Sequence, residues 1–112
     1  VAPQRYQDIA KQLGLPADTA DEAVENLANA VADYRDNKLG MDASFQAAGV
    51  DEKHFWSVLD QIGMRAYEDQ CTPANPRIPQ IEDMKDIAIA AYYGVSQAEG
   101  KKLRAQRETA QA

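Results

Sequence analysis

The chain has 112 residues, 45 % of them hydrophobic, with a formal net charge of −6 and one cysteine. Length and apolar content suit one folded domain with one core and exclude a disordered chain. The acidic balance argues against a nucleic-acid phosphate backbone or an anionic membrane as partner, and a lone cysteine makes a reducing cytoplasm the simplest compartment.

Alanine is frequent and β-branched residues are sparse, which favours helix over sheet. The longest mostly apolar run, 87–95, is too short to span a bilayer. No basic-plus-apolar signal segment opens the chain. It begins on Val1, as a processed protein or a piece of a longer one would.

The first helix is expected from about Gln4 to Leu13, with Tyr6, Ile9, Ala10 and Leu13 on one face and Gly14 as its stop. Leu15-Pro16 breaks the run. Thr19 and Glu22 have capping-box spacing and open a second helix. Its apolar stripe is Ala20, Ala23, Val24, Leu27, Ala30, Val31 and Tyr34, and Leu39-Gly40 ends it. Asp21, Glu22, Glu25, Asp33, Arg35 and Asp36 lie mostly off the stripe and read as a solvated face. The first-turn acids also suit the helix dipole better than any acid–base pair.

Asp42 is placed to cap a short helix from Phe45 to Ala48, stopped by Gly49. Asp51 then caps a longer helix whose inward set is Phe55, Val58, Leu59, Ile62, Ala66 and Tyr67. Gly63 inside it is unfavourable by roughly 1 kcal/mol relative to alanine, a cost that close approach of another backbone would explain. A proline-rich loop follows at 69–79. The next helix is expected from about Gln80 to Tyr93, with Ile81, Met84, Ile87, Ala88, Ala91 and Tyr92 inward and Gly94 closing it. Residues 1–95 thus form a helical domain. Residues 96–112 are polar and read as a frayed helix or disorder, despite capping-box spacing at Ser96 and Glu99. The fold class is all-α, a bundle of about five helices.

Chemistry-bearing residues are few. His54 is the only histidine, and with Asp51 three residues away it is short of the ligands a metal needs. A first-turn residue beside the cap is the better reading. Cys71 follows Glu68-Asp69, a poor setting for a thiolate nucleophile, and reads as a small packed residue. Asn75-Pro76-Arg77 reads as a turn. Arg77 offers a clamp for an anion, but such an arginine more often bonds loop carbonyls or pairs with an acidic neighbour, here Asp69 or Glu82. There is no phosphate loop, no Ser-His-Asp set and no strand for a Rossmann turn. The chain lacks the parts of a self-contained enzyme.

Asp69-Gln70-Cys71-Thr72-x-Ala74-Asn75-Pro76-Arg77, followed by a helix ending Ala91-Tyr92-Tyr93-Gly94, resembles the C-terminal end of iron-dependent alcohol dehydrogenases. The resemblance is closest to the alcohol dehydrogenase half of bifunctional aldehyde–alcohol dehydrogenases. Arg5-Tyr6-Gln7-Asp8-Ile9-Ala10 is similar to the family's Arg-Tyr-x-x-Ile-Ala helix start. Ala48-Gly49-Val50-Asp51-Glu52-Lys53-His54-Phe55 is similar to its Ala-Gly-Val-x-Glu-x-x-Phe segment. The matches span about residues 5 to 94. One departure is Pro73, where the family usually has glycine.

The resemblance implies a division of labour. An N-terminal α/β domain binds NAD, and one aspartate and three histidines of the helical domain hold a divalent iron that polarises the substrate oxygen. This chain matches only the region after the last of those histidines, so no catalytic, metal-binding or cofactor-binding residue carries over. The Cys-Thr corner approaches the cleft. Cys71 and Thr72 are therefore expected to line the substrate pocket or support the residues that do, while Asn75, Pro76 and Arg77 hold the loop's shape. The implied parent converts acetyl-CoA to acetaldehyde and then ethanol with NADH and forms homo-oligomers or filaments. The implied partner of this segment is the remainder of that dehydrogenase, and the segment alone is inactive. The alternative is a standalone helical-bundle module for protein–protein contact. A segment severed from a larger fold exposes an apolar face, which separates the two readings.

Overall fold

A computed structural model describes residues 2–111. Five α-helices are present among them, with no strand: α1 (Pro3–Gln12), α2 (Ala20–Asp33), α3 (Glu52–Glu68), α4 (Ile81–Tyr93) and α5 (Gln97–Gln111). The all-α expectation holds. The backbone divides into two compact units, Val1–Ala43 and Ser44–Ala112.

The first unit is a helical hairpin of α1 and α2. Pro3 suits the start of α1, where its missing N–H is no loss. Thr19 caps α2, its Oγ1 accepting the Glu22 N–H at 3.2 Å. The Glu22 carboxylate reaches back one residue further than a capping box requires and accepts the Asp18 N–H at 2.8 Å. The connection is locked from both helices: Gln7 Nε2 donates to the Ala17 carbonyl at 2.8 Å, and Asn26 Nδ2 to the Pro16 carbonyl at 2.8 Å. The buried core of this unit is three alanines, Ala10, Ala17 and Ala23, with Leu15 packed against them. Much of the expected apolar stripe is uncovered: Tyr6, Ile9, Leu13, Val24, Val31 and Tyr34 are exposed. After Asp33 the chain widens into one π-helical turn, Tyr34–Lys38, in which the Leu39 N–H donates to the Tyr34 carbonyl at 3.0 Å. Inside this turn the Arg35 guanidinium grips Asp36 and holds its carboxyl below the usual range.

The second unit packs α4 against both α3 and α5. Asp51 caps α3 as expected, its Oδ1 accepting the His54 N–H at 2.7 Å. Asp83 Oδ2 accepts the Gln80 N–H at 2.9 Å at the start of α4. The core is Phe55, Leu59, Ile89 and Tyr92. Tyr92 stacks on Phe55 with ring centroids 4.3 Å apart, and its hydroxyl donates to the Val50 carbonyl at 2.7 Å. Trp56 Nε1–H donates to the Tyr93 hydroxyl at 3.0 Å, which donates to Glu52 Oε1 at 2.6 Å. Burial, and then the Glu52 carboxylate, push the Tyr93 phenol above its ordinary range.

Three sequence expectations change here. The segment expected as a short helix from Phe45 to Ala48 is a series of turns. Its Phe45 and Gln46 amides donate to the Ala91 and Tyr92 carbonyls at 3.2 and 3.0 Å. They satisfy the orphan carbonyls at the C-terminus of α4, and that geometry replaces a helix. Ser44 Oγ, not Asp42, accepts at the segment's start, from the Ala47 N–H at 3.1 Å. Second, the inward face of α4 is rotated. Ile87 and Ala91 are exposed, while Asp86, Ile89, Ala90 and Tyr92 are buried.

Third, the polar tail forms α5 and causes that rotation. Ser96 and Glu99 close a reciprocal cap, the Glu99 carboxylate accepting the Ser96 N–H at 3.1 Å and Ser96 Oγ accepting the Glu99 N–H at 3.3 Å. Asp86, 2 % exposed, is the one buried charged residue among those described. Its Oδ1 accepts from Arg104 Nε at 2.7 Å, and Arg104 Nη1 also donates to Glu108 at 3.0 Å. The Asp86 carboxylate, ahead of Glu108, raises the proton affinity of the guanidinium.

Two helical glycines divide on this packing. A Cβ on Gly100 would sit 2.5 Å from the Asp86 carbonyl oxygen and 3.1 Å from the Ala90 nitrogen, both rigid backbone. A Cβ on Gly63 would meet mainly the flexible Lys85 side chain at 2.7 Å, with the Ile81 carbonyl at 3.4 Å. Alanine gains about 1 kcal/mol of helix propensity over glycine. Gly100→Ala is nonetheless expected to lose about 2 kcal/mol through forced separation of α5 from α4, and Gly63→Ala to be neutral or stabilising. Urea unfolding midpoints of the two variants check this, and equal midpoints would contradict the described approach of α5.

Candidate functional site

The loop between α3 and α4 is built from its own hydrogen bonds. Asp69 leaves the helix, and its Oδ1 accepts the Cys71 N–H at 2.8 Å while its carbonyl accepts the Thr72 N–H at 3.0 Å. Thr72–Ala74 form one 3-10 turn. Thr72 Oγ1 donates to the Ala66 carbonyl at 2.7 Å and so closes the last turn of α3. The Asn75 side-chain amide donates to the Arg77 carbonyl. Every described peptide bond is trans, including those before Pro76 and Pro79. Pro79 is buried, whereas Cys71, Pro76, Arg77 and Ile78 are exposed.

This arrangement sorts the candidate residues by what each contributes. Asn75 and the Arg77 carbonyl shape the turn directly. The Arg77 guanidinium forms no ion pair with Asp69, Glu82 or any other described residue. Thr72 turns its hydroxyl back onto α3, and its N–H and carbonyl are engaged by the Asp69 carbonyl and the Asn75 N–H. Cys71 is a free, exposed thiol held in place through its backbone N–H.

His54 lies exposed in the first turn of α3, beside its capping residue. No three His, Cys, Asp or Glu side chains converge to hold a metal among the described residues.

A second concavity, not anticipated from the sequence, opens in the same unit between α3, α4 and α5. It has a volume of about 340 Å³. Its cationic lining is Lys53, Lys85, Arg104 and Arg107, with Asp60 and Glu108 as carboxylates. Lys85 Nζ pairs with Asp60 at 2.6 Å. The Arg107 guanidinium lies 4.4 Å from the Trp56 ring centroid. Lys53, Trp56 and Asp60 stand at helical i, i+3, i+7 spacing, a signal present in the sequence. Arg104 and Arg107 reach the cleft because the tail is helical.

Comparison with known proteins bears on the loop and its surroundings together. The model of the Fe-containing alcohol dehydrogenase family, C-terminal, matches residues 1–92. An aldehyde-alcohol dehydrogenase of Streptococcus pneumoniae is 43 % identical over 101 residues, 90 % of this chain and 11 % of that protein. A bifunctional aldehyde-alcohol dehydrogenase of Escherichia coli is 39 % identical over 113 residues, 99 % of this chain and 12 % of that protein. An NADPH-dependent butanol dehydrogenase of Clostridium saccharobutylicum is 36 % identical over 91 residues, 81 % of this chain and 23 % of that protein. The chain thus spans about one ninth of the length of the bifunctional relatives it matches. With the loop, the helix that follows it and the family model agreeing across residues 1–92, the chain belongs to the Fe-containing alcohol dehydrogenase family, as part of its C-terminal region.

Proposed function

We propose that the chain is the closing helical segment of a cytoplasmic, NAD- and iron-dependent aldehyde–alcohol dehydrogenase that carries acetyl-CoA through acetaldehyde to ethanol. The observation that carries this reading is the pairing of coverages: 43 % identity across 90 % of this chain but only 11 % of the bifunctional relative. The segment's partner is the rest of that enzyme, which supplies the iron ligands and the nucleotide-binding domain and assembles into homo-oligomers or filaments. Cys71 and Thr72 form one wall of its substrate cleft. Asn75, Pro76 and Arg77 fix that wall, and Pro73 gives it a stiffer backbone than a glycine would.

Surface character favours this reading over a standalone interaction module. The first unit exposes Leu13 and Val31 at 62 % and 65 % and Tyr34 at 59 %. Leu13, Leu15, Leu27, Ala30, Val31 and Tyr34 line an apolar groove of about 370 Å³. Monomeric surfaces rarely leave so many large apolar side chains contiguous, and burial at about 25 cal/mol per Å² drives them against another surface.

Three outcomes are expected. The 112-residue chain, supplied with NADH, ferrous iron and acetaldehyde, shows no turnover above buffer; measurable NADH oxidation by the chain alone would sink the proposal. In sedimentation velocity the isolated chain self-associates with rising concentration, and Leu13→Glu with Val31→Glu shifts it to monomer; a monomer without those changes speaks for the standalone module. In the full-length parent, Cys71→Phe raises KM for acetaldehyde about tenfold or more, as loss of ~1.4 kcal/mol of binding predicts. Steady-state kinetics check it, and an unchanged KM would remove Cys71 from the cleft.

A further inference from the structure

The cleft between α3, α4 and α5 has the opposite charge to the chain that contains it. The whole sequence carries −6, yet four cations and two carboxylates line this concavity. Two of the cations are already committed: Lys85 to Asp60, and Arg104 to Asp86 and Glu108. Lys53 and Arg107 have no carboxylate partner among the described residues. Asp60 stands at the rim, its side chain 90 % exposed, where solvent screens it.

A pair of uncommitted surface cations is usually no more than a solvated face. Arg107 departs from that. Its guanidinium is stacked 4.4 Å over Trp56, and the indole is itself fixed by its N–H bond to Tyr93, which is fixed by Glu52. The fork of donors is therefore ordered before any ligand arrives, which lowers the entropic cost of engaging one. A guanidinium in that state matches phosphate or carboxylate geometry with two parallel hydrogen bonds. A volume of about 340 Å³ suits a small molecule rather than a polymer.

We propose that this cleft binds a small molecule bearing an oxyanion group, phosphate or carboxylate, gripped by Lys53 and Arg107 over the floor made by Trp56. The site lies on α3 and α5, whereas the loop proposed for the substrate cleft is the 69–79 connection, so the two are tested separately.

Trp56 is the only tryptophan, which gives the site its own reporter. The chain is titrated with pyrophosphate and, in parallel, with citrate, following Trp56 emission and, for every variant, heat by calorimetry. Sodium chloride at matched ionic strength is the control. A saturable response is expected, with apparent affinity weakened about tenfold by Lys53→Ala or Arg107→Ala and less by Arg107→Lys. Arg35→Ala, a cation of the other unit already paired with Asp36, leaves it unchanged. Lys53 is exposed and outside the core, so its variant reads binding and not folding, with unchanged helicity by circular dichroism as the check. Saturation by pyrophosphate alone assigns a phosphorylated ligand, and by citrate alone a carboxylate. A response matched by sodium chloride overturns the proposal. So does an affinity indifferent to both alanine variants, or saturation by poly-glutamate with neither small anion, which would make the surface a protein contact.

Discussion

The second unit depends on where Tyr92 is held. Its ring stacks on Phe55 of α3, its hydroxyl reaches the Val50 carbonyl, and its own carbonyl accepts the Gln46 amide. One side chain thus sets the distance between α3 and α4 and pins the turn segment that precedes α3. The hydroxyl matters as much as the ring. A phenol buried without a partner would give back about 1–3 kcal/mol of what its ring burial gains, and the Val50 carbonyl removes that loss. Burial also pushes the phenol's ionisation upward, which keeps it a donor.

Next to this apolar pin, α5 is attached by different physics. Its contact surface is poor in large hydrophobics, with Leu103 the main one against the core. It is held by close backbone approach at Gly100 and by an ion pair whose acid is almost fully buried. Such a pair adds little net stability compared with a hydrophobic replacement. What it supplies is register: Asp86 accepts from Arg104 in one arrangement of α5 along α4, and a slip of one residue would leave a buried carboxylate without a partner. That register carries Arg107 over Trp56 and so builds the cationic cleft. The cleft is thus a consequence of how α5 is fastened.

Most elements were legible because they are punctuated by residues with local mechanisms. Thr19, Asp51, Gly14 and Gly94 mark ends that the structure reproduces within a residue or so. The 45–48 segment was misread because Ser, Gly and Asp near it signal helix ends as strongly as they signal turns. Only its amides' engagement with the carbonyls of α4 decides between them, and that is tertiary. The packing of the tail was hidden for a complementary reason. Its pattern lacks an apolar stripe, which is the sequence signal for packing, while glycine and an ion pair leave no periodic trace. The buried face of α4 was hidden with it, since Asp86 reads as polar and outward until Arg104 is known to meet it. At the loop, Asn75 was legible as a turn former, but Thr72's bond to Ala66 spans six residues and has no short-range signature.

The first unit rests on a core of three methyl groups, Ala10, Ala17 and Ala23. Such a core contributes little burial energy, but it defines a spacing. At that spacing each added methylene either pushes the helices apart or strains the Gln7 and Asn26 bonds that lock the connection. These positions are therefore restricted to small residues by distance alone, although they touch nothing that reacts. Among relatives, near-invariance at these three positions would record a clearance, and it would be a mistake to read chemistry into it.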